Sequence, residues 1–205
     1  MKAMTIAYRI GDSLYVNLTN RCPCACTFCL RANGDGVGGS APLWLEREPG
    51  VDEAMEAIAR ERFPGMKELV FCGYGEPTER LDAVLEISRR LKSGPDAPRI
   101  RMNTNGLGDL IAGRPVAADL RGLVDAVSVS LNTDDPAEYE AVCRPRFGAA
   151  AYPAMLKFAR DAAEAGVETV MTVVGEPVTG AAKQERCRKI AQSLGATLRV
   201  RKYEA

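Results

Sequence analysis

Histidine is absent from this 205-residue sequence. Imidazole is the usual general base of nucleophilic catalysis and the commonest side-chain ligand of metals. Its absence excludes Ser-His and Cys-His mechanisms and every metal site built on histidine. Chemistry near neutral pH must therefore come from other side chains or from a cofactor.

The sequence also lacks a net charge. Lysine and arginine total 27, and aspartate and glutamate also total 27, so no long-range basic field attracts nucleic acid or an anionic membrane. Apolar runs stay well short of the roughly 20 residues that span a bilayer, and residues 1–20 show no secretory signal pattern. We therefore expect a cytoplasmic protein with no membrane or nucleic-acid partner.

The apolar content of the chain is 46%, which suffices for one buried core. This predicts a single domain over residues 1–205.

Cysteine, by contrast, is abundant: there are seven, an odd number that does not suit a secreted disulfide scaffold. Cys22, Cys26 and Cys29 form a C-x3-C-x2-C pattern, and clustered thiolates are the usual ligands of iron–sulfur clusters. Three ligands leave one iron of a four-iron cluster open to something other than protein. Three alternatives remain. They are a zinc site closed by Cys24 or Cys72, a redox pair of Cys26 and Cys29, and unrelated buried thiols. Cys24 is otherwise interpreted as a bystander thiol near the cluster.

Strand-like and helix-like segments alternate along the chain, which predicts an α/β fold with parallel strands and crossover helices. Apolar, β-branched segments predict strands at Ser13–Thr19, Glu68–Gly73, Ile100–Asn105, Ala126–Leu131, Glu168–Val174 and Thr197–Lys202, with a leading hairpin partner at Met4–Arg9. Helical patterns lie at Val51–Arg62, Thr78–Lys92, Asp135–Val142, Pro153–Ala165 and Thr179–Leu194. A partial barrel and an open doubly wound sheet both fit this order. In either case function is expected at the carboxyl ends of the strands.

Small and polar residues follow several of the predicted strands. Gly73–Pro77 follows the second strand and contains two glycines and Glu76, while Asn105 ends the third strand and Ser130 and Asn132 end the fourth. We expect these residues and the cysteine loop to gather at one edge of the sheet. For each polar residue taken alone, a turn or cap function remains the alternative.

Four other features lie outside these motifs. The glycine-rich residues 32–49 predict a mobile loop beside the cysteines. Cys143, which is followed by Arg144-Pro145-Arg146, is interpreted as a surface cysteine beside solvated arginines, and Cys187 as a core residue. Arg199 and Arg201 share one side of the last strand and meet either an anionic substrate or solvent.

The cysteine pattern and the Gly73–Pro77 segment together resemble the radical S-adenosylmethionine (radical SAM) superfamily. The resemblance implies a partial (β/α)6 TIM-like barrel with a short N-terminal β-hairpin, and an oxygen-sensitive [4Fe–4S] cluster whose open iron chelates SAM. It also implies reductive cleavage of SAM to a 5′-deoxyadenosyl radical that abstracts hydrogen from a substrate, with no further catalytic side chain. The implied contacts are Cys22, Cys26 and Cys29 with the cluster, Phe28 with adenine, Gly73, Gly75 and Glu76 with the SAM ammonium, and Asn105, Ser130 and Asn132 with its ribose and carboxylate.

Longer runs are similar to one subfamily, the TatD-associated radical SAM proteins. These runs are Tyr15–Cys22, Leu43–Pro49, Phe71–Pro77, Cys143–Pro145 and Arg199–Arg201. The resemblance implies an unidentified small-molecule, peptide or protein substrate, an electron donor such as flavodoxin or ferredoxin, and a functional link to a TatD-type hydrolase. The alternatives are a glycyl-radical activating enzyme and a non-catalytic iron–sulfur or zinc sensor. Cleavage of SAM separates an enzyme from a sensor.

Overall fold

The structure is a computed structural model, and it describes residues 4–32, 36, 39–176 and 178–202. The strands are β1 (Ala7–Ile10), β2 (Ser13–Val16), β3 (Glu68–Phe71), β4 (Arg99–Thr104), β5 (Ala126–Ser130), β6 (Glu168–Val174) and β7 (Thr197–Arg201). The α-helices are α1 (Val51–Glu61), α2 (Leu81–Lys92), α3 (Gly108–Ala112), α4 (Pro136–Cys143), α5 (Ala151–Glu164) and α6 (Ala181–Ser193). The predicted mobile loop falls partly on residues 33–35, 37 and 38, which lie outside the described residues.

The chain divides into two compact units. The first comprises Met1–Cys22, Phe28–Asn103 and Leu123–Asp125, and the second comprises Pro23–Thr27, Thr104–Gly122 and Ala126–Ala205. Within each unit the strands pair in chain order.

The first unit begins with the predicted hairpin. Strand β1 runs antiparallel to β2, and Gly11 at the turn has a φ of 57°, in the region that favours glycine. Strands β2 and β3 pair in parallel with Val16 opposite Phe71, and β3 and β4 pair in parallel with Phe71 opposite Met102. This register brings the carboxyl ends of β2 and β3 side by side, and the cysteine loop and Gly73–Pro77 follow those two ends.

Amphipathic helices cross between the strands of the first unit. In α1, Ala54, Ala57 and Ile58 are buried, at the i, i+3, i+4 spacing of a core-facing helix. The helix predicted over Thr78–Lys92 is divided, because Pro77–Arg80 forms a 3-10 turn and α2 begins at Leu81. A proline at the first position and a side-chain cap from Glu76 stabilise that turn.

The second unit contains β5, β6 and β7 in parallel, with Ser130 opposite Thr172 and Thr172 opposite Arg199. Residues 126–129 of β5 are all buried, as expected for a strand covered on both faces. The predicted strands and helices are present with ends shifted by a few residues, and Cys187 lies in the core as predicted. Helix α3 and a 3-10 turn at Ala117–Leu120 were not predicted, because glycine and proline interrupt the apolar periodicity of residues 106–122.

The strand–helix–strand arrangement confirms the predicted α/β class with its N-terminal hairpin and is consistent with a partial (β/α)6 barrel. Within the described part of the chain, no helix has both the length and the apolar character that crossing a bilayer requires.

Gly106 provides a test of packing in the second unit. Its φ is 77°, and a Cβ there would lie 2.9 Å from Met155 Cγ and 3.0 Å from Val129 Cγ1. Gly113 has a similar φ of 67° with nothing within 4 Å of its Cβ position, so it is a matched control. Substitution of either glycine by alanine places a Cβ on a left-handed backbone, which destabilises the protein by about 1–2 kcal/mol. Gly106→Ala should lose roughly 1–3 kcal/mol more through overpacking, measured by urea unfolding. Equal losses in the two variants would contradict this packing account.

Candidate active site

The cysteine loop contains thiols of two kinds. All seven cysteines are thiols rather than disulfides; Cys22, Cys26 and Cys29 are half-exposed, whereas Cys24 is buried with 5% exposure. Cys22 and Cys29 belong to the first unit and Cys26 to the second. Cys24, the predicted bystander, thus differs in exposure from the three predicted ligands.

The donor chemistry of these cysteines fits an iron–sulfur cluster, because three accessible sulfur atoms are soft ligands. Across the residues that the structure describes, no three or more cysteine and carboxylate side chains are already gathered as a metal site. The assignment of the three cysteines as ligands therefore stays a prediction based on their spacing and exposure.

Arg31 lies next to one of the predicted ligands. Its Nε donates to Cys29 Sγ at 3.4 Å and its Nη1 donates to the Asn20 carbonyl at 3.3 Å. Hydrogen bonds and charge at ligand sulfurs tune the reduction potential of iron–sulfur clusters. Arg31 lies two residues after Cys29 in the sequence. Its hydrogen bond to the Cys29 sulfur could not be predicted from that position alone.

The Gly73–Pro77 loop packs directly on the chain that leads into Cys22. A Cβ at Gly75 would overlap the Thr19 carbonyl oxygen and lie 2.6 Å from that of Arg21. The Glu76 amide also donates to the Arg21 carbonyl at 2.8 Å. Within the first unit, the structure therefore brings the Gly73–Pro77 loop against the residues that lead into Cys22. It also explains why position 75 requires glycine: two backbone segments are in close contact there, which the sequence did not reveal.

Glu76 is buried with 4% exposure, and its carboxylate has a local partner. Glu76 Oε1 accepts from the Thr78 amide at 3.1 Å and from Thr78 Oγ1 at 2.8 Å. The side chain thus caps the 3-10 turn that follows the loop. A contact between Glu76 and the SAM ammonium stays a prediction.

Asn17 is a polar residue of this site that sequence reasoning did not select. Its Nδ2 donates to the Leu43 carbonyl at 2.7 Å and to the Thr5 carbonyl at 3.3 Å. Its Oδ1 is buried without a hydrogen-bond partner and lies where a Cβ at Gly73 would be. A buried acceptor without a donor costs free energy. The available signal was an amide side chain within the predicted strand Ser13–Thr19.

Two predicted cofactor residues of the second unit contact buried thiols. Asn105 Nδ2 lies 3.8 Å from Cys24 Sγ, and Asn105 Oδ1 accepts from the Leu107 amide at 2.9 Å, as in an Asx turn. Asn132 has a φ of 64°, and its Nδ2 donates to Cys143 Sγ at 3.2 Å. Asn132 Oδ1 is buried without a hydrogen-bond partner, and its contact with SAM stays a prediction.

Four further residues singled out in the sequence are Phe28, Ser130, Cys143 and Arg199. Phe28 and Ser130 are half-buried, and their contacts with SAM stay predictions. The interpretation of Cys143 as a surface cysteine is wrong, because the residue is 1% exposed. Cys143 ends helix α4 on its buried side, where the following arginines gave a misleading signal. Arg199 is exposed, and its Nη2 donates to Ser128 Oγ at 2.9 Å.

A charged network holds the segment before Cys22. Glu48 accepts from Thr19 Oγ1 at 2.6 Å, from Arg21 Nε at 2.7 Å and from Arg80 Nη1 at 3.1 Å. Partial burial opposes ionisation of Glu48, but the hydrogen bonds from Thr19 and Arg21 and the charges of Arg21 and Arg80 outweigh it and lower the pKa. Glu48 appeared in the sequence only as part of a longer run, because its partners lie 27 to 32 residues away.

The chain has recognisable relatives. A model described as "Radical SAM superfamily" matches residues 16–188. The GTP 3′,8-cyclase of Mycobacterium ulcerans (strain Agy99) is 34% identical over 142 residues, covering 66% of this chain and 35% of that protein. The GTP 3′,8-cyclase of Limosilactobacillus fermentum is 29% identical over 137 residues, covering 66% and 38%. This chain thus spans little more than a third of the length of these curated relatives.

Solved structures share the fold. A radical SAM methyltransferase from Sphaerobacter thermophilus superposes with a TM-score of 0.63 at 19% identity, covering 94% of this chain and 57% of that one. Streptococcus suis SuiB bound to precursor peptide SuiA superposes with a TM-score of 0.70 at 15% identity, covering 97% and 40%. At these identities the likeness establishes the fold alone.

Gly75→Ala should displace the Gly73–Pro77 loop, because the added methyl group would overlap two carbonyl oxygens that belong to backbone. We expect a loss of roughly 1–3 kcal/mol in the free energy of unfolding, measured by urea titration. Gly94→Ala is the matched control, since neither glycine has a positive φ and the nearest atom to a Cβ at Gly94 is 3.6 Å away. A Gly75→Ala variant as stable as the control would refute the close-contact account.

Glu48→Gln should remove a stabilising contribution that depends on pH. The folded-state pKa of Glu48 lies below its ordinary value of 4.5, so the contribution is present above that pH and is lost as pH falls through the lower folded-state pKa. We expect the free energy of unfolding to fall by about 1 kcal/mol at neutral pH, because the ion pairs of Glu48 with Arg21 and Arg80 are partly exposed. Thermal unfolding should show the gap to wild type closing below about pH 4.5. Glu46→Gln, at an exposed neighbouring position, should show little change at either pH, and a pH-independent gap for Glu48→Gln would contradict the prediction.

Proposed function

The chain belongs to the radical SAM superfamily, and on that premise we propose that it is an enzyme that cleaves SAM reductively and abstracts hydrogen from a substrate. One observation carries the proposal: three half-exposed cysteines in the C-x3-C-x2-C pattern follow a backbone segment on which Gly73–Pro77 packs directly. The family uses a [4Fe–4S] cluster and SAM, and both motifs are needed to hold them.

We assign the cluster to Cys22, Cys26 and Cys29. When bound, the reduced cluster supplies the electron that splits SAM into methionine and a 5′-deoxyadenosyl radical. Three thiolate ligands leave one iron without a protein ligand, which is where SAM can bind. Arg31, through its contact with Cys29 Sγ, offsets part of the negative charge of the ligands. Cys24 is not a ligand in this proposal, because the Cys24, Cys26 and Cys29 triplet lacks the C-x3-C-x2-C spacing.

The remaining contacts with SAM come from loops at the ends of strands. Gly73, Gly75 and Glu76 bind the ammonium group. The unpaired Oδ1 of Asn132 accepts from a ribose hydroxyl group, and Ser130 and Asn105 lie on the same set of strand ends. Phe28 packs on the adenine. These residues bind and orient SAM, and none of them takes part as a second catalyst.

The substrate is left open. The relatives named GTP 3′,8-cyclase share about a third of their length with this chain, so their substrate does not transfer with the match. The runs Leu43–Pro49 and Cys143–Pro145 support membership of the TatD-associated subfamily, and with it a functional link to a TatD-type hydrolase.

The family match spans residues of both units, which supports one radical SAM core domain over residues 1–205. Seven thiols suit the reducing cytoplasm, where flavodoxin or ferredoxin supplies the electron.

The cysteine assignment predicts which variants lose iron. After anaerobic reconstitution, wild-type protein should hold four irons per chain, and Cys22→Ala, Cys26→Ala and Cys29→Ala should each lose most of it, because three ligands are the minimum for a site-differentiated cluster. Cys24→Ala should retain iron. Iron analysis and the ultraviolet–visible spectrum give the measurement. Full iron retention in Cys26→Ala would refute the ligand set.

Catalysis is tested with the same proteins. Dithionite-reduced wild type should form 5′-deoxyadenosine from SAM, slowly without substrate, and Cys29→Ala should not. Liquid chromatography measures the product. Equal yields from wild type and Cys29→Ala would identify the activity as background and favour the sensor alternative. Product that forms only when a partner polypeptide is present and acquires a glycyl radical would favour a glycyl-radical activating enzyme.

A further inference from the structure

A short segment of the second unit forms backbone hydrogen bonds with the cysteine loop. We call residues 142–146 the clamp segment. The Ala25 amide donates to the Cys143 carbonyl at 3.1 Å and to the Arg144 carbonyl at 3.3 Å, and the Thr27 amide donates to the Val142 carbonyl at 2.9 Å. In the opposite direction the Arg146 amide donates to the Pro23 carbonyl at 2.8 Å. Cys24 and Pro145 form the antiparallel bridge between them.

The clamp segment is itself fixed to the second unit. It continues from helix α4, whose first turn is held where Glu138 accepts from Lys183 Nζ and from Thr133 Oγ1, all at 2.6 Å. The buried Tyr139 of this helix packs edge-on against Tyr152 at 5.4 Å between ring centroids. The loop residues 23–27 therefore pair with a well-anchored part of the fold.

The turn into the clamp segment requires an unusual backbone conformation. Arg144 has a φ of 46°, and its amide donates to the Glu140 carbonyl at 3.0 Å, which ends α4 with a left-handed cap. A non-glycine residue in this region is strained, and such strain persists where surrounding structure enforces it. Two buried thiols support the two sides, with Cys24 against Asn105 and Cys143 against Asn132.

We propose that the clamp segment positions the Pro23–Thr27 part of the cysteine loop so that Cys26 is presented as a ligand. The geometric part of this inference stands on the hydrogen bonds alone, and its meaning for catalysis rests on the proposed function. Cys143, Arg144 and Pro145 thereby acquire a positioning role, and the buried Cys24 anchors the loop instead of binding iron. Three of the four hydrogen bonds of the clamp segment use amides of Ala25 and Thr27, which flank Cys26 on both sides.

A proline substitution isolates the backbone contribution. Arg146→Pro removes the amide that donates to Pro23, whereas Arg146→Ala keeps that amide and removes the same side chain. Loss of one hydrogen bond at the end of the ladder should speed hydrogen exchange at the Ala25 and Thr27 amides about three- to tenfold in the protein without a cluster. Arg146→Ala should match wild type, and the Gly166 amide, which donates to Ala163 in a distant turn, should be unchanged in both.

The loaded protein gives the second measurement. Arg146→Pro should bind at least about twofold less iron on reconstitution, and the electron paramagnetic resonance signal of the remaining cluster should broaden, because the loop opens locally more often. Arg146→Ala should retain the wild-type signal. Pro145→Gly, which preserves every donor but loosens the segment, should shift exchange in the same direction if Arg146→Pro does not fold.

The outcomes separate this inference from the proposed function. Exchange at Ala25 and Thr27 that stays at the wild-type rate in Arg146→Pro and Pro145→Gly would overturn the positioning role, even if wild type forms 5′-deoxyadenosine. Faster exchange in these variants combined with failure of wild type to retain iron would overturn the proposed function and leave the clamp segment as a device for ordering the loop.

Discussion

The site in the first unit depends on one close approach between two stretches of backbone. Gly75 lies so near the Thr19 and Arg21 carbonyls that a methyl group would not fit, and the Glu76 amide donates to Arg21. This contact fixes the segment before Cys22 against the loop after β3. Parallel pairing of β2 and β3 brings the segments that follow them to the same edge of the sheet. Because Gly75 has no Cβ, these two segments can then come into direct contact. Glu48 then holds the other side of the same segment through Thr19 and Arg21.

Main-chain contacts recur in the second unit. There the loop residues 23–27 are paired with the clamp segment by four backbone hydrogen bonds, and side chains mainly anchor the helix behind it. Main-chain contacts thus hold the residue before Cys22 in the first unit and the residues on both sides of Cys26 in the second. An exposed ligand that must keep a fixed position needs such support.

Much of this arrangement was predictable from local patterns. Apolar, β-branched segments predicted the positions of the strands along the chain, because burial on both faces leaves a direct signature in composition. The cysteine spacing and the Gly73–Pro77 segment predicted the family, because both are short and contiguous in sequence. Long-range pairs were not predictable in this way. Glu48 meets Arg21, and Cys143 meets Ala25, only through tertiary structure, and the arginines after Cys143 suggested exposure for a residue that is buried.

Contacts between main-chain atoms place few demands on side-chain identity. At the approach to Arg21 the requirement is the absence of a Cβ at position 75, and along the clamp segment it is the presence of amides at positions 25, 27 and 146. Most substitutions at the surrounding positions would leave these hydrogen bonds intact. Sequence divergence can therefore proceed far while the path of the cysteine loop is preserved.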